Sequence, residues 1–191
     1  MTTSTSTTSP ETGRWIELFD GTTLHGWRGR TRDQADAEHT WRVAGGVTLH
    51  PENERLFQIA PGSGIFVNGD DGRTADLRTD LEHGSCGLHV EYCVPVRSNS
   101  GVYLQGQYEI QILDSWGTPD GELKYGTNGG ICARWIDKTK TPYDGHPPRT
   151  NASRRRANGR PWTSRSTPRS STRAARRCAT PGSSGWCSMA P

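Results

Sequence analysis

The sequence predicts an all-β domain, a sandwich of two antiparallel sheets, on three observations. Glycine occurs 23 times and proline 12 times among 191 residues, and helix interiors tolerate neither. Only 30% of the residues are hydrophobic, and from Arg14 onward they fall in short runs separated by Gly, Asp, Asn and Pro, as strands and turns alternate in sandwiches. The best-formed runs alternate apolar with polar residues, the period of a strand that buries one face. The length suits one domain with tails and is too short for two comfortable cores.

Taken in order, residues 1–13 (MTTSTSTTSPETG) are polar and Ser/Thr-rich; they cannot bury enough apolar surface to offset the entropy of ordering and are expected to form a disordered leader. RWIELFDG, residues 14–21, is the first candidate strand, ending in an Asp-Gly turn signal. TWRVAGGVTLH, residues 40–50, is expected to form a hairpin, with Trp41 and Val43 before a Gly-Gly turn and Val47 and Leu49 after it. GSGIFVNG, residues 62–69, is another short strand. In CGLHVEYCVPV, Leu88, Val90, Tyr92 and Val94 alternate with His89, Glu91 and Cys93. In SGVYLQGQYEIQILD, Tyr108, Ile110 and Ile112 alternate with Glu109, Gln111 and Leu113. Each strand would bury one face and offer polar groups on the other; that polar side is either a groove or an ordinary solvated surface. Residues 115–148 have Gly and Pro throughout and are expected to be a long loop of the kind that often builds binding sites.

The formal charge of +3 hides a split. Residues 149–191 hold ten arginines and no Asp or Glu, so residues 1–148 carry 13 basic against 20 acidic residues, a net −7. A front part of that sign opposes nucleic acid, and the tail has no repeated pattern of a nucleic-acid binder, so no specific nucleic-acid partner is expected. Five cysteines (Cys86, Cys93, Cys132, Cys178, Cys187) lack C-x-x-C spacing and are read as buried or incidental thiols. Six histidines form no H-x-x-x-H pair, so zinc is not signalled. Carboxylate and amide oxygens could hold a divalent cation, but no spacing identifies one, and no cofactor is evident. No run reaches about 18 apolar residues, so no membrane span is expected. No signal peptide is visible, yet a start site assigned too far downstream would have removed one, which leaves localisation and oligomeric state undetermined.

Three segments, WIELFDGTTLHGW at 15–27, SNSGVYLQ at 98–105 and QYEIQILDS at 107–115, together resemble the 3-keto-disaccharide hydrolase family, in its order and roughly its spacing. The likeness extends over about residues 14–154. It implies a concanavalin A-like jelly roll with ligand in a concave face, and cleavage of glycosides already oxidised to a ketone at sugar carbon 3. A 3-ketone acidifies the proton on carbon 2, so a positioned base can remove it while the group on carbon 1 departs, and water then adds to the enone. Such a site needs a base, donors or a cation for the enolate, and an acid for the leaving group. Under that resemblance Glu109, Asp114 and Lys124 are the catalytic candidates, with Glu109 as base or metal ligand and Lys124 as the group that polarises the ketone. Asn99, Ser100, Gln111 and Tyr103 are the candidates for binding the carbohydrate substrate. Asp114 could instead cap a turn, and Asp20 in LFDG is read as a turn former. A different class of function, a carbohydrate-binding module on the same fold, is favoured if no acid and base converge.

Residues 155–191 depart from the family pattern after NAS. Joining the third base of each codon to the first two of the next permits Pro-Gly-Glu-Trp-Gln-Thr around Arg155–Ser164, with an Asp forced by Trp162 and Thr163. Near the other end Trp186 and Cys187 force a Val, and Met189 with Ala190 forces a Gly. The reading is a frameshift near residues 154–156, an out-of-frame and disordered tail, the loss of the C-terminal strands, and an incomplete, inactive fragment as a further alternative.

Overall fold

The computed structural model describes residues 15–84, 86–136 and 138–154, together with the backbone of 170–175 and 187–190. Over these residues the protein is all-β. The strands are β1 (Trp27–Arg30), β2 (Arg42–Leu49), β3 (Phe57–Val67), β4 (Asp76–Thr79), β5 (Gly87–Tyr92), β6 (Asn99–Leu104), β7 (Tyr108–Leu113), β8 (Arg134–Ile136), β9 (Thr141–Tyr143), β10 (Ser170–Ala175) and β11 (Cys187–Ala190), with a single 3₁₀ turn at Asp120–Glu122. Every pairing is antiparallel. One sheet runs β1-β4-β11-β6-β7, and the pairs β5–β10, β2–β3 and β8–β9 complete the set.

The alternation read from the sequence sorts the layers. Leu88, Val90 and Tyr92 of β5 pack with Val94 and Leu104 against buried Val102 and Ile112, which brings β5 onto the five-stranded sheet. A second cluster joins Ala44 and Val47 of β2 to Ile65 and Val67 of β3, with Phe57, Ile59 and Cys93 against it. Phe66 ties the N-terminal segment to this layer, with ring centroids 4.0 Å from Phe19 and 5.2 Å, edge-on, from Trp27. Such pairs add about 0.5–1.5 kcal/mol beyond area burial. The indole N–H groups are satisfied as they are covered, Trp27 donating to Leu18 O (2.6 Å) and Trp41 to Ala75 O (2.8 Å). The described residues of the two layers line a cavity of about 1630 Å³ between them.

Three local expectations are corrected. Residues 14–21 do not form a strand where they are described: Trp15 and Ile16 are each 62% exposed, and the Asp20 carboxylate accepts from the Thr22 and Thr23 N–H groups (both 2.6 Å), which turns the chain before a ladder can start. The Gly45-Gly46 pair is not a hairpin turn. β2 runs straight through it, with a register shift between Ala44 and Gly46 against β3. A side chain at Gly45 would stand 2.6 Å from Pro61 O, so glycine is there for close backbone approach at a bulge. The stretch 115–148 is no structureless loop. It holds the β8–β9 hairpin, and residues 129–132 run beside β7 as an added edge.

The expected loss of closing strands also differs from what is observed for two segments. β10 runs along β5, and β11 fills the place between β4 and β6. A ladder is built from N–H and C=O groups, so an open place beside β4 and β6 accepts a proline-free segment whatever its side chains. The leader at 1–13 and tail residues 155–169 and 176–186 lie outside the described residues. Among the described residues, no helix is long and apolar enough to cross a membrane.

Candidate active site

The β6–β7 hairpin sets the site. Gln105 and Gly106 both have positive φ (55° and 62°), and the Gln107 N–H donates to Leu104 O (3.1 Å), so the three residues 105–107 make a tight connection between the paired Leu104 and Tyr108. That turn fixes the register Tyr103↔Glu109, Gly101↔Gln111 and Asn99↔Leu113. Because directly opposed residues share a face, Asn99, Gly101, Tyr103, Glu109 and Gln111 stand on one side. Ser100, Val102, Ile110 and Ile112 stand on the other, toward the core.

The same register carries across the sheet. Tyr103 opposes Ser188, Ser188 opposes Arg78, and Arg78 opposes Arg28, forming one row with Glu109. The neighbouring row runs through Arg30, Asp76, Ala190, Gly101 and Gln111, since Met189 pairs with Leu77 and so sets Asp76 beside Ala190. Residues 129–132 extend both rows past β7: Cys132 N–H donates to Glu109 O (2.9 Å), and Gln111 N–H donates to Gly130 O (2.9 Å).

On this polar face the side chains interlock. The Tyr103 hydroxyl donates to Glu109 Oε2 (3.0 Å). The Glu109 side chain leans over Gly101, where a Cβ would clash with its Oε1. Gln111, buried, donates from Nε2 to Asn99 Oδ1 (2.5 Å), and its Oε1 accepts from the Cys132 thiol (2.8 Å). Burial, with the Glu109 charge beside it, pushes the Cys132 thiol up to about 12. Burial and then Glu109 raise the Tyr103 phenol far above its ordinary range. Both therefore stay protonated near neutral pH, as donors rather than bases or nucleophiles.

Asp76 shares this face. Its carboxyl is pushed up chiefly by burial; Arg30 opposes the shift and Glu109 adds to it. At the rim Arg28 bonds Asp80 (2.7 Å) and reaches Asp36 (3.5 Å), while Arg78 lies 3.6 Å from Asp36. These pairs are largely exposed, so they orient the arginines more than they stabilise the fold. On the far side Arg134 pairs with Asp144 and lies over the rings of Tyr108 (5.2 Å) and Tyr143 (4.9 Å), which braces β8–β9 against the end of β7.

Of the residues singled out from the sequence, Glu109, Gln111, Asn99 and Tyr103 are brought together. Ser100 is on the core side and lines the interlayer cavity, whose lining includes none of Tyr103, Glu109 and Gln111. Asp114 holds a turn: its Oδ2 accepts the Arg97 N–H (2.9 Å) and its own N–H donates to Ser98 O (3.0 Å). Lys124 is exposed in the loop after the 3₁₀ turn, where its backbone N–H donates to Thr127 Oγ1 (2.9 Å). Glu91 lies on β5, in another sheet, bonded to His89 (3.2 Å). Asp76 and Cys132 were not found from the sequence; each is one polar residue in an unremarkable stretch, and only long-range strand order brings it to Glu109. Among the described residues no group of three or more His, Cys, Asp and Glu is gathered to hold a metal ion.

The family model described as 3-keto-alpha-glucoside-1,2-lyase-like domain matches residues 14–170 of the chain. No curated protein and no solved structure matches it significantly.

Proposed function

The chain belongs to the 3-keto-alpha-glucoside-1,2-lyase-like domain family, and on that premise we propose that its polar sheet face cleaves glycosides already oxidised to a ketone at carbon 3. The observation that carries this reading is the Glu109 carboxylate, held by the Tyr103 hydroxyl and seated over Gly101, whose missing side chain makes room for it. Glu109 takes the carbon-2 proton, whose acidity comes from the neighbouring ketone. The electron pair passes into the enolate and then forms the carbon 1–carbon 2 double bond as the oxygen on carbon 1 leaves. Water adding to carbon 1 of the resulting enone completes a net hydrolysis; release of the enone is a lyase reaction.

Gln111 has one Nε2 hydrogen committed to Asn99 and one left for a sugar oxygen, and the Asn99 amide supplies further donors. Tyr103 keeps the carboxylate in one orientation, and Cys132 does the same for the Gln111 amide. Asp114 holds its turn, and Lys124 stands in its exposed loop, so neither is given a step.

The test is product release from a 3-keto-glucoside by the 191-residue chain and by a version with the reading frame restored after residue 154. A positioned base contributes about 10²–10⁴-fold, so Glu109→Gln should reduce kcat by that order with KM little changed. Sugar binding without turnover by both unsubstituted forms would defeat the proposal and favour the binding module. The frameshift itself is a proposal, decided by resequencing the gene across residues 154–156; an intact frame in independent reads removes it.

A further inference from the structure

The proposed elimination needs a proton at two places. Glu109 accepts one from carbon 2, and an alkoxide leaving carbon 1 must receive one. The donors nearest Glu109 are already committed: Tyr103 O–H to Glu109 itself, and Cys132 S–H to Gln111. Apart from Asp36 and Asp80, which are held by arginines at the rim, the other carboxyl group described on this face is in β4. Asp76 stands in the row of Gly101 and Gln111, with one strand, β11, between it and β6. Two strand spacings separate β4 from β6, roughly 10 Å of backbone. Glu109 reaches into that interval from β7 by leaning over Gly101, so the two carboxyl groups flank one stretch of sheet surface from opposite sides.

We propose that Asp76 is the general acid of this reaction, delivering its carboxyl proton to the oxygen that departs from carbon 1. The inference rests on the reading of Glu109 as the base. The balance closes within the pair: Glu109 begins ionised and ends protonated, Asp76 begins protonated and ends ionised, the carbon 1–oxygen bond breaks and the carbon 1–carbon 2 double bond forms. Exchange of one proton through solvent resets both groups.

The surroundings suit the assignment. Burial disfavours the Asp76 carboxylate, and the Glu109 charge adds to that preference. The charged and titratable groups of this face among the described residues are Arg30 and Arg28 on β1, Arg78 on Asp76's own strand with Asp80 just after it, Asp36 at the rim beside Arg28 and Arg78, Tyr103 on β6, Glu109 on β7, and Cys132 beside β7. Arg30, directly across from Asp76, pulls the other way, and Asp76 stays raised against it.

Leaving-group dependence tests this separately from the base. A p-nitrophenolate leaves without a proton, whereas a methoxide does not. With the 191-residue chain, Asp76→Asn should lower turnover of methyl 3-keto-glucoside by about 100-fold and turnover of the p-nitrophenyl analogue by no more than about threefold. Glu109→Gln should lower both. Asp76→Ser, measured alongside, guards against one variant that fails to fold, and thermal melts confirm folding of each. Equal losses on the two substrates, or no loss on either, would overturn the role of Asp76 while leaving Glu109 in place. No release from either glycoside by the unsubstituted 191-residue chain or by the form with the reading frame restored would overturn both.

Discussion

Gly101→Ala separates position from stability at the proposed base. A methyl group at Gly101 would clash with Glu109 Oε1 and stand 2.8 Å from Cγ and 2.9 Å from Cδ. The obstacle is the far end of a flexible side chain, so the carboxylate moves and the backbone does not. The loss of the Tyr103–Glu109 bond, worth about 1.5–3 kcal/mol for a charged acceptor and toward the lower end for these half-buried groups, is offset by the roughly 0.5–1 kcal/mol that alanine gains over glycine in a strand. The net change is about 1 kcal/mol, or roughly 2–4 °C in Tm for a domain of this size. Displacement of a catalytic group by about 1 Å can cost on the order of 100-fold in rate. Gly29→Ala is the matched control. There the methyl would meet the Ala37 carbonyl oxygen, a backbone atom of a segment that Ala37 N–H ties to Gly29 O (2.9 Å). The main chain must shift, at about 1–3 kcal/mol, with turnover per folded molecule little changed. Thermal melts and kcat/KM measured on both variants give the comparison. Full activity in Gly101→Ala, or a loss of stability as large as that of Gly29→Ala with no added loss of rate, would refute the assignment of Glu109.

Two further outcomes follow from the electrostatics. With its thiol pushed up to about 12, Cys132 should stay unlabelled by iodoacetamide at pH 8 in the folded protein and label readily in urea, as read by peptide mass spectrometry; equal rates in both states would contradict its burial beside Glu109. The Asp20 carboxyl is held well below its ordinary range, first by the Thr23 hydroxyl and then by the Thr22 and Thr23 N–H groups. A depressed acid contributes stability that is fully present above its unfolded value, about 3.9, and is lost as pH falls through the folded value. Asp20→Ala should therefore lower Tm at pH 7, with a gap to the unsubstituted protein that narrows below about pH 4; a gap independent of pH would show that the carboxylate's charge contributes nothing.

The period of two in LHVEY and YEIQIL was enough to place Leu88, Val90, Ile110 and Ile112 on the core side and Glu109 with Gln111 on the opposite face, because burial of one sheet face writes itself into neighbouring residues; that Gln111 is itself covered was not legible. SGVYLQGQYEIQILD reads as one strand, whereas the structure breaks it at residues 105–107 into β6 and β7, and that turn is what brings Tyr103 and Asn99 beside Glu109 and Gln111. What was not legible depends on pairing between distant segments. β5 and β6 follow one another in the chain, yet they lie in different sheets, and nothing local distinguishes a hairpin from a crossover. Gly45-Gly46 carries the composition of a turn, although its purpose is to let β3 approach. Asp76 is one acid among twenty in the chain, and its relation to Glu109 exists only once β11 lies between β4 and β6.

That insertion also sets a timetable. The segment bearing Asp76 and the hairpin bearing Glu109 are both made well before β11, the latest of the described strands in chain order, and they share a sheet through it. A polypeptide growing on the ribosome can form the β1–β4 and β6–β7 pairs separately, but the two halves of the polar face cannot be set side by side until residues 187–190 have emerged. The face is thus assembled after synthesis has passed all of its functional side chains. A message interrupted between residues 133 and 186 would yield every one of those residues and no site.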